Sequence, residues 1–215
     1  MLTIVSWNVL YRLYEEQYTK NSNILKRYEN EQERISDIIG IILNLLDEKT
    51  IFCLQECSEE LIKEITSKLT VHELFIHYVR NTENIVTIAP IHYNFKKEYI
   101  EQTNCANGVL SISNGVFRII NWHLIPRRFT NMDVFQYINS MFLNNIITFI
   151  AGDYNIRLSE LKKGLNDIQL IPYYGKTYKN RQIDHIITNT DCFFQTGLIL
   201  QTEISDHNII FLNIL

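Results

Sequence analysis

The chain has 215 residues, of which 46% are hydrophobic and 20% are charged, and its formal net charge is −4 at pH 7. This composition is typical of a globular protein and excludes a disordered or low-complexity chain. The small negative charge excludes a molecule whose overall field attracts polyanions, so phosphate binding must come from a few local cations or a metal. The length fits one large domain over residues 1–215, with no linker that would divide it.

The four cysteines are scattered along the chain, at Cys53, Cys57, Cys105 and Cys192. Their spacing matches neither a zinc knuckle nor a disulfide framework, which favours reduced thiols. The first residues, Met-Leu-Thr-Ile-Val-Ser-Trp, lack the basic and apolar regions of a signal peptide, and no apolar run of about 18 residues occurs. We therefore expect a soluble intracellular protein without membrane insertion, with cytoplasm and nucleus both open.

The first half of the chain alternates strand and helix patterns. Residues 2–7 predict a strand, and residues 11–30 an irregular or partly helical segment. In residues 31–46 the apolar positions recur at intervals of three and four, which indicates an amphipathic helix. A short buried strand is predicted over residues 51–54, and Ser58 is a suitable N-cap for a second helix.

The middle and the last third of the chain are richer in strands. Short β-type runs occur at residues 74–80, 84–89, 92–100, 108–113 and 116–122. The Asn114-Gly115 pair predicts a hairpin turn between the last two of these runs. Further on we expect helices at residues 132–144 and 159–165 and strands at residues 146–150, 182–188, 194–200 and 208–214. This order predicts an α/β fold, a four-layer sandwich of two mixed sheets packed face to face with helices outside.

Polar residues with metal-binding or acid–base potential stand where the apolar strands begin or end. They are Asn8, Glu56, His123, Asp153, Asn155, Asp184, Asp206 and His207. Functional side chains of layered sheets gather at such ends because a rigid scaffold positions them there. Each residue alone has an ordinary alternative, as a turn residue, a half-buried histidine or an exposed carboxylate. Their coincidence predicts a single site without specifying its reaction.

Six short motifs occur in order between residues 6 and 207. They are Ser6-Trp7-Asn8, Leu54-Gln55-Glu56, Asn121-Trp122-His123-Leu124, Gly152-Asp153-Tyr154-Asn155, Gln182-Ile183-Asp184-His185-Ile186 and Ser205-Asp206-His207. As a set they resemble the endonuclease/exonuclease/phosphatase superfamily, which includes pancreatic-type DNase, exonuclease III and the deadenylases. The resemblance implies a DNase I-like fold and an enzyme, a metal-dependent hydrolase of phosphoric ester bonds.

The resemblance also implies a metal site. Glu56 would be the principal ligand of Mg²⁺, with Mn²⁺ as a substitute. Asn8 would lie nearby as a ligand or water-holder, and Asp206 would complete this site or a second one. Carboxylate and carboxamide oxygens are the ligands that these hard cations prefer.

The same resemblance implies the catalytic roles. Asp153 would orient or deprotonate the attacking water, and Asn155 would donate hydrogen bonds to the phosphate. His207 would contact the scissile phosphate as an acid or charge stabiliser, with Asp184 holding its other ring nitrogen. His123 would be a second phosphate contact.

Details of the motifs favour one branch of the superfamily. The Tyr-rich insert after Trp7-Asn8-Val9-Leu10 and the segment 54–60 resemble the deadenylases of the carbon-catabolite-repression, nocturnin and angel group. Cys57 after Glu56 and the presence of His123 count against repair enzymes of the exonuclease III type. Residues 152–157 also resemble tyrosyl-DNA phosphodiesterase 2 and the inositol polyphosphate 5-phosphatases, so these readings stay open.

Aromatic and cationic residues between the motifs are candidates for binding substrate. We expect Arg127, Arg128, Tyr154 and Arg157 to contact it, together with the run 173–181, because aromatics interleaved with cations suit stacked bases and phosphates. The favoured substrate is a nucleic acid, with a single-stranded RNA or DNA 3′ end preferred, and the favoured state is a monomer. The alternatives are removal of protein–nucleic acid adducts and dephosphorylation of a small inositol or nucleotide polyphosphate.

Overall fold

The computed structural model describes residues 2–11, 23–79, 84–100, 108–124, 131–142, 146–165, 169–172, 175–190 and 197–215. The elements within these ranges are, in chain order, β1 (Leu2–Asn8), α1 (Glu31–Leu45), β2 (Thr50–Cys57), α2 (Glu59–Thr66), β3 (His72–His77), β4 (Asn84–Pro90), β5 (Lys96–Glu98), β6 (Gly108–Ser113), β7 (Phe117–His123), α3 (Asn131–Met141), β8 (Ile147–Asp153), α4 (Leu158–Gly164), β9 (Gln169–Leu170), β10 (Asp184–Thr188), β11 (Leu198–Leu200) and β12 (Ile209–Ile214).

The strands form two mixed sheets of six strands each. Their orders are β11-β12-β1-β2-β4-β3 and β5-β6-β7-β8-β10-β9. Each sheet has one parallel pair near its centre, β1 with β2 and β7 with β8. A parallel pair requires a crossover connection, and α1 and α3 lie in those two connections. The carboxyl ends of both parallel pairs therefore present the residues that follow β1, β2, β7 and β8.

The sheets and helices stack as four layers. Alternate residues of β1 show why: Leu2 and Ile4 belong to the core between the two sheets, whereas Val5 and Trp7 pack toward α1 and α2. On the other sheet, Ile120 and Trp122 of β7 pack with residues of α3 and α4. These observations confirm the predicted α/β sandwich with helices on its two outer faces.

Both helices of the first half are confirmed. The helix expected over residues 31–46 is α1, and Asn30 caps it by accepting the backbone N–H of Glu33 at 3.0 Å. Ser58 caps α2 as predicted, because its Oγ accepts the backbone N–H of Leu61 at 3.1 Å.

The predicted hairpin turn also forms. Gly115 has φ +86°, the left-handed conformation that the turn requires, and the Asn114 Oδ1 accepts the backbone N–H of Phe117 at 2.9 Å. The turn joins β6 to β7 in an antiparallel pair.

One predicted strand is wrong. Residues 92–100 were expected to be extended, but Ile91–Tyr93 forms a 3₁₀ turn and only Lys96–Glu98 pairs as a strand. The turn begins at Pro90, whose φ is −62°, and ends at Asn94 in the left-handed conformation at φ +52°. Proline fixes such a φ and asparagine tolerates the left-handed region, so the local chemistry favours a turn over an extended run.

Several predicted segments fall partly outside the described residues; besides those that follow, residue 80 of the strand expected over 74–80 and residues 173 and 174 of the run 173–181 are not described. The segment 11–30 is described at residue 11 and from residue 23 onward, where Asn23–Lys26 forms a 3₁₀ turn, and the strand expected over residues 194–200 is described as Leu198–Leu200. The helix expected over residues 132–144 is described as Asn131–Met141. Among the described residues, no helix combines the length and apolarity needed to cross a bilayer.

Candidate active site

The predicted polar residues converge at one edge of the two sheets. His123 and Asp153 are register partners at the ends of the parallel strands β7 and β8, and Asp184 opens β10 directly across from Asp153. Asn8 and Glu56 end the neighbouring strands of the other sheet and lie within hydrogen-bond distance of each other. All eight residues predicted to be catalytic or metal-binding lie within the described residues, and hydrogen bonds and ion pairs connect them.

Glu56 occupies a strained position in β2. The strand shifts register against β4 between Leu54 and Cys57, and Glu56 adopts φ +58° there. Its Oε1 accepts the Asn8 Nδ2 at 2.8 Å, and its Oε2 accepts the backbone N–H of Tyr11 at 3.3 Å. A left-handed conformation costs a residue with a Cβ about 1–2 kcal/mol, so the surrounding contacts must hold the carboxylate in place.

Asn8 bridges the two sheets. Its Nδ2 donates to Glu56 of the first sheet and, at 3.2 Å, to the Oδ2 of Asp153 of the second. Its Oδ1 accepts the backbone N–H of Leu10 at 3.0 Å, which fixes the orientation of the amide. The side chain thus holds two carboxylates close together, and its service as a metal ligand stays a prediction.

Asp153 is the buried carboxylate at the centre of the site. Its Oδ1 accepts the backbone N–H of Asn155 at 2.9 Å. Its Oδ2 lies 3.7 Å from the Nε2 of His207 and 3.9 Å from the Nε2 of His123. Burial, together with the charge of Asp184, raises the pKa of Asp153 to about 6 against the opposing effect of the two histidines.

Asn155 anchors the loop that leaves Asp153. It adopts φ +50°, and its Nδ2 donates to the backbone carbonyl of Leu124 at 2.7 Å. This bond ties the end of β8 to the residue that follows β7. Donation from Asn155 to a phosphate stays a prediction.

Gly152 permits the close approach of β8 to β7. It has φ +157°, and a Cβ at this position would lie 1.8 Å from the backbone oxygen of Trp122, its register partner. Only glycine fits, because the obstructing atom belongs to a backbone rather than to a flexible side chain. The glycine of the fourth motif therefore brings Asp153 beside His123.

His207 is held between two carboxylates. Its Nδ1 lies 3.0 and 3.1 Å from the two oxygens of Asp184, and its Nε2 faces Asp153. Burial alone would lower the pKa of His207, but the charges of Asp184 and Asp153 outweigh it and raise the pKa to about 10. The imidazole is therefore a cation at neutral pH, with Nδ1–H donating to Asp184.

Two hydroxyl groups fix this pair, and neither was predicted to do so from the sequence. The Thr177 Oγ1 accepts the backbone N–H of Asp184 at 3.1 Å. The Ser205 Oγ accepts the backbone N–H of His207 at 3.1 Å and donates to the backbone carbonyl of Asn8 at 2.7 Å. Ser205 therefore links the His207 loop to the end of β1, a contact across the chain that no local pattern indicates.

A tight turn lies against the outer face of His207. The ring of Tyr178 lies 4.6 Å from the ring of His207, and the Nζ of Lys179 lies 4.8 Å from the Tyr178 ring. Lys179 adopts φ +44° in this turn, and Lys176 and Arg181 beside it are exposed. The turn that packs on the histidine through Tyr178 thus carries three exposed cations.

Asp206 and Glu56 present carboxylates that suit a divalent cation. The Oδ1 of Asp206 is buried and has no hydrogen-bond partner within the described part of the chain. Burial raises the pKa of Asp206, and the charge of Glu56 raises it further against the opposing charge of His207. Two mutually repelling carboxylates with an unpartnered oxygen fit a hard cation, which would satisfy both.

Two groups of side chains have the mutual spacing of metal ligands. In Glu56, His123 and Asp153, one ligand atom from each residue lies within 4.8 Å of the others, and the same holds for Asp153, Asp184 and His207. In the second group the Nδ1 of His207 already bonds to Asp184, so that group is a hydrogen-bonded relay. The first group contains Glu56, which together with the nearby Asp206 is the candidate metal site, and the identity of the metal stays a prediction.

The four residues predicted to contact the substrate have different outcomes. Tyr154 is a correction: it is fully buried, its hydroxyl donates to the backbone carbonyl of Ile150 at 3.0 Å, and its ring stacks on Trp122. An aromatic residue beside a glycine–aspartate motif packs equally well inward, and here the helix layer covers it. Arg157 is exposed just before α4, whereas Arg127 and Arg128 lie outside the described residues.

The two cysteines within the described residues have no hydrogen bond or ion pair to the site residues. Cys53 and Cys57 are free and buried, and burial raises the pKa of both thiols well above the usual range. Cys105 and Cys192 lie outside the described residues.

No family model matches the chain, and no curated protein matches its sequence. An endonuclease/exonuclease/phosphatase family protein from Leptotrichia buccalis aligns with a TM-score of 0.68 and 14% identity over 100% of this chain and 99% of that one. A mannosyl-6-phosphatase from Bacteroides thetaiotaomicron aligns with a TM-score of 0.73 and 13% identity over 100% of both chains.

A third similar structure is TDP2 from D. rerio in complex with a single-strand DNA product. It aligns with a TM-score of 0.67 and 14% identity over 98% of this chain and 97% of that one. At these identities the likeness concerns the fold, which agrees with the expectation from the six motifs. The resemblance to the deadenylase branch stays a prediction.

Proposed function

We propose that this chain, which has the fold of the endonuclease/exonuclease/phosphatase superfamily, is a Mg²⁺-dependent phosphodiesterase that hydrolyses nucleic acids. The observation that carries the proposal is the arrangement of His207, a buried cation held by Asp184 on one side and facing Asp153 on the other. Near this pair lie Glu56 and Asp206, whose Oδ1 is 4.0 Å from the His207 Nε2 and accepts no hydrogen bond from the described residues. A charged donor and a carboxylate base beside a cation site are what hydrolysis of a phosphoric ester requires.

The residues divide the work of hydrolysis between them. Asp153, whose pKa of about 6 leaves it largely ionised at neutral pH, accepts a proton from the attacking water. The water oxygen then forms the new bond to phosphorus as the bond to the ester oxygen breaks, and that oxygen takes up a proton from solvent and leaves as an alcohol. His207 neutralises charge that develops on the phosphoryl group, and Asn8 keeps Asp153 aligned through its bond to the Oδ2.

A divalent cation held by Glu56 and Asp206 would supply Lewis-acid stabilisation of the phosphoryl oxygens. The buried Asp206 Oδ1, which accepts no hydrogen bond from the described residues and has only the His207 Nε2 at 4.0 Å as an ion-pair contact among them, supports this assignment, because an ionised carboxylate is seldom left without hydrogen bonds inside a protein.

The turn beside His207 supports a polyanionic substrate. Lys176, Lys179 and Arg181 are exposed there, and the adjoining Tyr178 offers an aromatic ring. Cations next to an aromatic ring suit the phosphates and bases of a single strand, and the TDP2 structure with its single-strand DNA product gives the same indication. The net charge of −4 predicts that binding is local and sensitive to salt. We therefore favour a single-stranded 3′ end of RNA or DNA.

A second candidate is the dephosphorylation of a small phosphate monoester. The mannosyl-6-phosphatase whose chain aligns over its full length supports it, since the same fold carries that chemistry elsewhere. Removal of a protein adduct from a nucleic-acid end, which the resemblance of residues 152–157 to tyrosyl-DNA phosphodiesterase 2 leaves open, is the third activity to test.

The test is a time course of the purified protein with Mg²⁺ and four substrates. These are end-labelled single-stranded RNA, the matched DNA, a DNA bearing a 5′-tyrosyl group and a set of small phosphate monoesters. Shortening of the RNA or DNA from its 3′ end is expected, with a rate about 10²–10⁴-fold lower in folded His207→Ala and Asp153→Ala. His92→Ala changes an exposed histidine outside the site and serves as the matched control. Hydrolysis of the monoesters alone would favour the second candidate, and full activity in either site variant would contradict the assignment.

A further inference from the structure

Arg34 is a fully buried arginine on the core-facing side of α1. It is 1% exposed and falls in helical phase with Ile38 and Ile42, which belong to the apolar core. Burying a guanidinium costs several kcal/mol unless its donors are satisfied. Its contacts therefore indicate why an arginine stands at an apolar position.

The guanidinium of Arg34 binds three consecutive backbone carbonyls. Its Nη1 donates to the carbonyl of Val9 at 2.7 Å, and its Nη2 donates to those of Leu10 at 2.7 Å and Tyr11 at 3.0 Å. Its Nε donates to Glu31 one turn earlier in the helix at 2.9 Å. Leu10 adopts the left-handed conformation at φ +61°, which is unfavourable for leucine and persists only where the surroundings impose it.

The opposite side of this segment faces the candidate active site. The backbone N–H of Leu10 donates to the Oδ1 of Asn8, and the backbone N–H of Tyr11 donates to the Oε2 of Glu56. The carbonyls of residues 9–11 thus point to Arg34, while two of their N–H groups orient the residues that surround the metal site.

We infer that Arg34 is a positioning residue for the metal site, acting through the backbone of residues 9–11. The inference rests on the proposed function, because it assigns a purpose to the orientation of Glu56 and Asn8. Arg34 holds the left-handed turn at Leu10, and the turn holds both side chains at the angles that present their oxygens to a cation. Groups that orient metal ligands in this way control affinity for the metal.

Lysine cannot replace this arginine. A planar guanidinium spreads its donors over three nitrogens, which here reach Glu31 and three carbonyls at once. An ammonium group concentrates its donors on one atom and cannot span the same acceptors. Arg34→Lys keeps the charge and most of the volume, so it separates the effect of the hydrogen bonds to residues 9–11 from the effect of the side-chain volume.

The experiment measures Mn²⁺ binding and backbone exchange rather than activity. Mn²⁺ affinity is determined by calorimetry, and exchange of the Leu10 and Tyr11 amide protons is followed in the metal-free protein, for wild type and Arg34→Lys. We expect Mn²⁺ to bind about 10- to 100-fold more weakly in the variant, with faster exchange at both amides. Ile42→Ala is the matched control, since Ile42 lies on the same helix, is equally buried and makes no hydrogen bond with residues 9–11. It should lower stability and leave Mn²⁺ affinity unchanged.

The outcomes separate the two proposals. Mn²⁺ affinity in Arg34→Lys equal to that of the wild type would overturn the inference, as would an equal loss of affinity in Ile42→Ala. If the wild-type protein itself fails to bind Mn²⁺, the proposed metal dependence falls. Amide exchange at Leu10 and Tyr11 then tests only whether Arg34 holds the backbone of residues 9–11. Unchanged exchange in Arg34→Lys would overturn that role, and faster exchange would support it.

Discussion

Asp184 is the residue on which the charge of His207 chiefly depends. Its carboxylate lies 3.0 Å from the Nδ1 and is the largest of the influences that raise the histidine pKa. Asp184→Asn keeps the shape and removes the charge, so we expect hydrolysis to slow by about 10²–10⁴-fold while the far-ultraviolet dichroism stays that of the wild type. Asp47→Asn, at a carboxylate on the 46–49 loop, is the control. Wild-type rates in a folded Asp184→Asn would show that the pair does not serve catalysis.

The buried ring of His185, the neighbour of Asp184, should make the folded protein less stable in mild acid. It is buried, its Nε2–H donates to the carbonyl of Ile156 at 2.9 Å, and burial lowers its pKa to about 4. An unfolded histidine takes up a proton near pH 6.5, whereas the folded one resists until about pH 4. The contribution of His185 to stability is therefore present in full above pH 6.5 and is lost as the pH falls toward 4, by up to about 3 kcal/mol.

Urea unfolding at a series of pH values between 7 and about 4.5 measures this loss. His185→Gln keeps a donor for the Ile156 carbonyl and removes the titrating ring, so its stability should fall less steeply with pH than that of the wild type. His92→Gln removes an exposed histidine and should leave the slope unchanged. Equal slopes in the wild type and His185→Gln would contradict the assignment of a neutral buried ring.

The pairing of β7 with β8 is the element on which the site most depends. Gly152→Ala places a Cβ 1.8 Å from the backbone oxygen of Trp122, and only a shift of one strand relieves the clash. We expect a loss of unfolding free energy of order 3 kcal/mol or more, with loss of the site because His123 and Asp153 end these strands.

Gly40→Ala is the opposite case and the matched control. Gly40 lies inside α1 with no atom within 4 Å of an added Cβ, so alanine should stabilise the protein by about 0.5–1 kcal/mol. Thermal unfolding of the two variants compares them directly. A Gly152→Ala protein as stable as the wild type would show that the strands can separate without cost.

A buried polar pair, Asn121 and Gln55, joins the two sheets of the molecule. The Asn121 Nδ2 on β7 donates to the backbone carbonyls of Leu54 at 3.1 Å and Val86 at 2.9 Å, both in the other sheet. The Asn121 Oδ1 accepts the Nε2 of Gln55, which precedes Glu56, at 2.7 Å. This pair sets the separation of the two halves of the site.

Asn121→Leu should therefore destabilise the protein by about 2–4 kcal/mol, because the buried carbonyls of Leu54 and Val86 and the Gln55 amide each lose a hydrogen bond. Ile119→Val, on the same face of the same strand, removes one methylene group and should cost only about 0.5–1.5 kcal/mol. Urea unfolding distinguishes the two. If both variants lost the same free energy of unfolding, the hydrogen bonds of the polar pair would contribute nothing beyond the packing of its side chains.

Much of this architecture can be predicted from the sequence because its signals are local. The spacing of Ile35, Ile38 and Ile42 specifies an amphipathic helix, and Asn114-Gly115 specifies a turn, without reference to the rest of the chain. The six motifs likewise predict which residues meet, since each ends or begins a strand. The face of Tyr154 could not be predicted, because packing under α3 and α4, rather than any adjacent residue, decides it.

Other features depend on contacts between distant segments. Ser205 joins the end of β1 across 197 positions of the chain, and Arg34 holds a backbone turn that nothing in its own helix foretells. The one local signal for Arg34 is a cation at a core-facing helical position, which indicates a buried partner without naming it. Long-range hydrogen bonds to backbone groups leave no pattern in a single sequence.

The most direct test of the account is a Mg²⁺ titration of the hydrolysis of an end-labelled single-stranded RNA, starting from protein stripped with a chelator. Wild type should be inactive without the cation and recover on its addition, and Glu56→Gln should need about 10- to 100-fold more Mg²⁺ for half-maximal rate. The Gly40→Ala protein, unchanged at the site, should follow the wild-type curve. Hydrolysis that persists after chelation, or a Glu56→Gln curve that coincides with the wild type, would contradict a metal-dependent phosphodiesterase built around Glu56.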